Sequence, residues 1–243
     1  MLCGTALQDW EALAALPDHP DLAAFDLRPA FGVHPWFAEN LPSDWLERLS
    51  SLLHENPAAT LGEVGLDRLR QSPDSATQTR ILREQLRLAA RLHRTVSLHA
   101  VRAVPQVLDE IRPFAADLPG FLVHSFAGSA ETLRELIDLG GSVSFGGALL
   151  NPSARRVQTA AALVPPERVL IETDAPDMLP RDLAPAVPGT RLNHPANLAL
   201  IAEQLALRQG WDSATASAQT SANAERLFPK GRAATHGGTD SEY

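Results

Sequence analysis

The chain has 243 residues, a formal net charge of −8, 44% apolar residues and 21% charged residues. That length suits one unit of α/β-barrel size, and the composition excludes a collagenous, low-complexity or disulfide-framed chain. The negative balance argues against broad capture of polyanions by a basic face, while leaving room for a local cation site that offsets charge at one phosphate.

The chain opens on Met1-Leu2-Cys3-Gly4-Thr5, with no basic n-region or apolar stretch of a secretory leader. Cys3 is the only cysteine, so a reducing, cytoplasmic setting is expected. No apolar run approaches the ~18 residues of a membrane span, and no membrane partner is expected. Short apolar runs then alternate with longer amphipathic stretches, the pattern of repeated βα units around a parallel sheet. Strands are expected at 2–4, 29–33, 59–64, 95–98, 120–123, 142–145 and 168–173. Helices are expected at 44–55, 76–93, 104–114, 130–139 and 153–163, with two more, 195–209 and 213–228, closing the unit. Ile81, Leu82, Gln85, Leu86, Leu88, Ala89 and Leu92 form one broad face, as a helix packed on a sheet requires. Residues 229–243 are polar, rich in Gly, Ser and Thr, and aperiodic, so a disordered tail is expected after a barrel domain at 1–228.

Seven strands fall one short of a closed (β/α) barrel, and an open version leaves two strand edges. Polar residues gather after these strands, where a TIM barrel builds its active site. Gly62-Glu63-Val64-Gly65-Leu66-Asp67, Ser97-Leu98-His99, Val123-His124-Ser125-Phe126 and Glu172-Thr173-Asp174-Ala175-Pro176 end four of them. Each residue alone has an ordinary reading: an interior histidine with a hydrogen bond, a capping glutamate, a turn aspartate. Together Glu63, His99, His124 and Asp174 make a ligand set for Zn, Mn or Mg, since buried charges at one mouth need a partner. Such a site activates water, and Asp174 is placed to accept its proton.

The segments Phe31-Gly32-Val33-His34-Pro35-Trp36, Gly62 to Asp67, His124-Ser125-Phe126-Ala127-Gly128-Ser129 and Glu172 to Pro176 resemble the block motifs of the TatD family, in its order. Asn193 with Pro195, Asn223, and Arg226-Leu227-Phe228 extend the resemblance to residue 228. The resemblance implies a TIM-barrel, metal-dependent hydrolase, a deoxyribonuclease cleaving phosphodiester bonds by metal-activated water. It implies that Glu63 bridges two metals, that His99 and His124 hold one of them, and that Asp174 contacts a metal and the attacking water. His34 corresponds to a histidine near the substrate, with a structural role before Pro35 as the equal alternative.

Two departures accompany the match. The family opens on a strand bearing a His-x-His pair that holds the other metal; here His19 stands alone in a Pro/Asp loop and the first strand looks like the family's second. The missing piece amounts to a strand and a helix, about 30 residues for a ~250-residue barrel divided by eight. An upstream start is the preferred explanation; the alternative is a chain with at most a one-metal site built from Glu63, His99, His124 and Asp174. The family's arginine two residues after the strand-end histidine is replaced by Val101, with Arg102 next as the candidate phosphate contact. Competing readings are a decayed, weakly catalytic scaffold and an amidohydrolase with a carboxylated lysine, the latter weakened because Lys230 in the tail is the sole lysine. DNA is the expected partner, and no residue pattern specifies an oligomeric state.

Overall fold

The computed structural model describes residues 1–229; the rest of the expected tail lies outside the described residues. Seven parallel strands form one sheet in sequence order, β1 (Leu2–Cys3), β2 (Pro29–Phe31), β3 (Thr60–Asp67), β4 (Val96–Val101), β5 (Phe121–Val123), β6 (Ser142–Phe145) and β7 (Val169–Ile171). Ladders join each strand to the next, and among the described residues none joins β7 to β1. The intervening and closing helices are α1 (Leu7–Ala15), α2 (Trp45–Glu55), α3 (Ser75–Leu92), α4 (Val104–Ile111), α5 (Ala130–Asp138), α6 (Arg155–Leu163), α7 (Leu198–Gln209) and α8 (Ser213–Leu227). The sheet curls. Across it, Glu63 of β3 and His124 after β5 touch at 2.5 Å.

Two strands outrun their expected ends. β3 continues to Asp67 and β4 to Val101, pairing Gly65 with His99 and Asp67 with Val101. Gly65 makes this approach possible: at its φ of +151°, a Cβ would stand 1.9 Å from the His99 carbonyl oxygen. Helix α1 has no counterpart among the expected helices. Its start is fixed by Asp9, whose Oδ2 accepts from Thr5 Oγ1 at 2.9 Å and from the backbone N–H of Ala6 at 3.1 Å. Trp10 and Leu13 bury its inner face, and Trp10 Nε1 donates to the Gly32 carbonyl at 3.1 Å.

Helix α3 sets the height of the rim through two buried glutamines. Gln85 accepts from Val33 N at 2.7 Å and donates to Val33 O at 3.1 Å, clamping the chain just before His34. Gln78 does the same for Asp67, accepting from its N–H at 2.8 Å and donating to its carbonyl at 3.2 Å. At the opposite end of the sheet, Asn223 of α8 donates to the carbonyls of Pro166 at 2.7 Å and Val169 at 2.8 Å, holding the entry to β7. An amide on an otherwise apolar helix face is therefore a deliberate backbone partner. Gln85→Leu keeps the volume but leaves both Val33 backbone groups buried and unpaired. It is expected to cost about 3 kcal/mol in urea unfolding, whereas a loss under about 0.5 kcal/mol would show that the clamp is incidental.

Candidate metal centre

Glu63 reaches the rim through an irregularity in β3. Leu61 pairs with Val96, but Val64 pairs with Leu98, so β3 carries one residue more than β4 across Gly62 and Glu63. A bulge of this kind re-aims a side chain, and the Glu63 carboxylate meets imidazoles from three directions. His124 Nε2 stands 2.5 Å from Glu63 Oε1, His99 Nδ1 2.8 Å and His34 Nε2 3.4 Å. His99 Nδ1 and His124 Nε2 are themselves 3.3 Å apart.

The outer faces of these rings fix their roles. His34 Nδ1 accepts the Trp36 backbone N–H at 3.2 Å, which puts the ring proton on Nε2, facing Glu63. His99 Nε2 faces Asp67 Oδ2 at 3.3 Å, an acceptor that keeps a proton on Nε2 when Nδ1 turns its lone pair to a cation. Asp67 is bound in turn by Trp36 Nε1 at 2.7 Å and by the Leu69 backbone N–H at 2.8 Å. His124 Nδ1 looks toward Glu172 Oε1 at 3.6 Å and Asp174 Oδ1 at 3.9 Å. Glu172 is pinned at both oxygens, accepting from Ser125 N and from Ser144 Oγ, each at 2.5 Å. Asp174 follows β7 in a left-handed conformation, φ 54°, with Ser125 at 47° after β5 and Arg102 at 51° after β4. Non-glycine residues held there mark a backbone constrained by its surroundings. Asn193 supplies part of that constraint, donating to Thr173 O at 2.6 Å while its own N–H binds Pro176 O at 2.8 Å.

The charges follow from this packing. Burial opposes charge on Glu63, but the imidazoles of His124, His34 and His99 win and hold its carboxyl well below the usual range. Burial likewise opposes the imidazolium of His124, yet Glu63 and Glu172 keep it protonated well above its ordinary value. Burial depresses His34, favouring the neutral ring. Burial and the neighbouring Glu172 push the Asp174 carboxyl up to about 7.

This donor set fits a divalent cation. Two ring nitrogens and a carboxylate oxygen converge within hydrogen-bond distance, with protons or a metal the only ways to relieve them. Ligand atoms fall into two compact groups, His34 with Glu63 and His99, and His124 with Glu172 and Asp174, each within 4.8 Å. Imidazole with carboxylate suits Zn or Mn, and carboxylate oxygens also accept Mg.

A family model described as TatD related DNase matches residues 1–229. The chain belongs to this family. It is accordingly a metal-dependent hydrolase acting on phosphodiester bonds, and its TIM-barrel-like fold is shared with a solved TatD structure. YJJV, the TatD homologue from Escherichia coli K12, superposes with a TM-score of 0.82 at 28% identity, over 94% of this chain and 85% of that one. The 3'-5' ssDNA/RNA exonuclease TatD of Cronobacter sakazakii is 39% identical over 201 residues, 82% of this chain and 76% of that protein. The protein of the same name from Erwinia tasmaniensis is 33% identical over 230 residues, 94% and 87% of the two chains.

Of the residues expected from sequence, Glu63, His99, His124 and His34 meet at one oxygen, and Asp174 stands beside His124. Glu63 lies within β3, as its place in the expected strand 59–64 requires, whereas His99 lies within β4 and not just beyond it, because β4 runs on to Val101. Arg102 is exposed in the turn after β4, and among the described residues no hydrogen bond or ion pair joins it to the centre. Glu172 and Asp67 received no role from sequence, though both lie in the quoted motif blocks. Their signal was a second carboxylate in a strand-end block, spaced to face the same mouth. Asp67→Ala removes the acceptor that orients His99 and is expected to weaken divalent-cation binding about tenfold or more in calorimetric titration. Unchanged affinity would mean that His99 needs no such support.

Proposed function

We infer that the chain hydrolyses phosphodiester bonds of single-stranded nucleic acid, DNA included, using a divalent cation held by Glu63, His99 and His124 with Asp174 in contact. The observation that carries this reading is the meeting of His99 Nδ1 and His124 Nε2 at Glu63 Oε1, at 2.8 and 2.5 Å. The single-strand, 3'-end preference comes from the relatives named for that activity. A bound Zn, Mn or Mg supplies Lewis acidity to the phosphoryl oxygen and to water.

The chain's own residues do the rest. Asp174, beside His124 Nδ1 at 3.9 Å, is assigned to accept the proton of the attacking water. Glu172 is committed to Ser125 and Ser144 and orients His124. His34 and Arg102, on the same rim, are assigned to the substrate, Arg102 as the cation that steadies the phosphate. No helix among the described residues is long and apolar enough to cross a membrane, and the lone Cys3 suits the cytoplasm.

Asp174→Asn is expected to lower cleavage of a labelled single-stranded oligonucleotide by about 10²–10⁴-fold, and Glu63→Ala to abolish it, with both variants folded by circular dichroism. Full activity in both would overturn the assignment. Because the Asp174 proton must leave before a cation is fully held, affinity is expected to fall as pH drops through about 7. The loss approaches about tenfold per pH unit for one displaced proton. The still-protonated His124 steepens it. Affinity independent of pH between 5 and 8, by titration of Mn²⁺, would contradict this proton linkage.

A further inference from the structure

Of the four tryptophans, Trp10 and Trp45 are buried, whereas Trp36 keeps 40% of its surface exposed and the adjoining Phe37 another 40%. A single exposed aromatic is ordinary, but this one is fixed to the metal centre. Trp36 Nε1 donates to Asp67 Oδ2 at 2.7 Å, and the indole packs edge-on against His34 with ring centres 4.8 Å apart. Its ring centre is 6.3 Å from that of His99. The guanidinium of the exposed Arg70 lies 3.8 Å from the indole centre. Ser72 donates to Glu39 Oε2 at 3.0 Å, joining the loop that carries Arg70 to the segment that follows Phe37. The indole, the cation and the candidate metal centre thus share one rim.

We propose that Trp36 and Arg70 form the subsite for the nucleotide beside the cleaved phosphate, the base stacking on Trp36 and Arg70 contacting the phosphate. This proposal rests on the single-strand reading above and adds how the strand is held. The indole is already immobilised by Asp67, so a base that stacks on it orders little further side chain. A chain of net charge −8 attracts phosphate only through local cations, and Arg70 is parked on the face the base would take. An exposed cation–π pair is weaker than a base stack together with an Arg–phosphate hydrogen bond. The arriving nucleotide therefore displaces Arg70 outward, and both groups gain a better partner. Stacking reads no base edge, so the subsite accepts any base, in DNA or RNA.

The test is a tryptophan-fluorescence titration of the full chain in excess Mg²⁺ with a phosphorothioate-linked thymidine hexamer, which resists cleavage. A parallel titration uses an abasic hexamer with the same linkages. The thymidine hexamer is expected to quench part of the emission and to bind about tenfold more tightly than the abasic one. Trp36→Phe should lose the quench. Arg70→Ala should keep the quench, bind more weakly, and show a slope of log affinity against log salt shallower by about 0.7, one phosphate contact on a single strand. Equal binding of both hexamers, a quench that survives Trp36→Phe, or an unchanged salt slope in Arg70→Ala overturns the subsite while the exonuclease reading stands. Failure of the unaltered chain to bind either hexamer overturns the single-strand reading and the subsite with it.

Discussion

Three imidazole nitrogens lie within 3.4 Å of a single partly buried carboxylate oxygen, Glu63 Oε1, and the rim of the sheet is arranged around that convergence. Left in an apolar interior, such a group would take up a proton and lose its charge. Here the reverse holds: Glu63 stays ionised, His124 stays protonated, and the neighbouring Asp174 is driven toward neutrality. Protons substitute for a metal in this balance. A divalent cation would replace them with a stronger and more local positive charge.

The scaffold keeps these groups from relaxing apart. Gln85 and Gln78 clamp the backbone beside His34 and at Asp67 from a single helix, α3, so two strand ends share one support. The extra residue in β3 turns Glu63, and Gly65 lets β3 lie against the His99 backbone. On the far side, Ser125 and Ser144 hold Glu172, while Asn193 holds the turn that carries Asp174. Each hydrogen bond contributes only about 1 kcal/mol net. Their greater effect is positional, since a displacement of about 1 Å at a reacting centre can cost far more than the bond itself.

Much of this was legible in the sequence. The period of apolar runs located all seven strands, and the blocks around Glu63, His124 and Asp174 identified the mouth. What escaped depended on contacts that periodicity does not encode. Helix α1 was missed although Leu7, Trp10 and Leu13 sit on one face, because the short stretch lies between Gly4 and a Pro-rich loop. Gln85 falls within an apolar face of the helical pattern, whereas its amide serves the Val33 backbone. The true ends of β3 and β4 are hidden because Gly65 and His99 follow the apolar runs and look like breaks, although both are strand residues. Asp67 and Glu172 act through histidines distant in sequence, 32 residues from His99 and 48 from His124. Only the folded sheet brings those partners together.

The central claim, that this convergence is a cation site organised on Glu63, is tested most directly by crystals grown with Mn²⁺ and measured for anomalous scattering. The account calls for a peak in contact with Glu63 and with ring nitrogens of His99 and His124. A rim without anomalous density at saturating Mn²⁺, or a peak bound elsewhere with Glu63 still paired to protonated histidines, would contradict it.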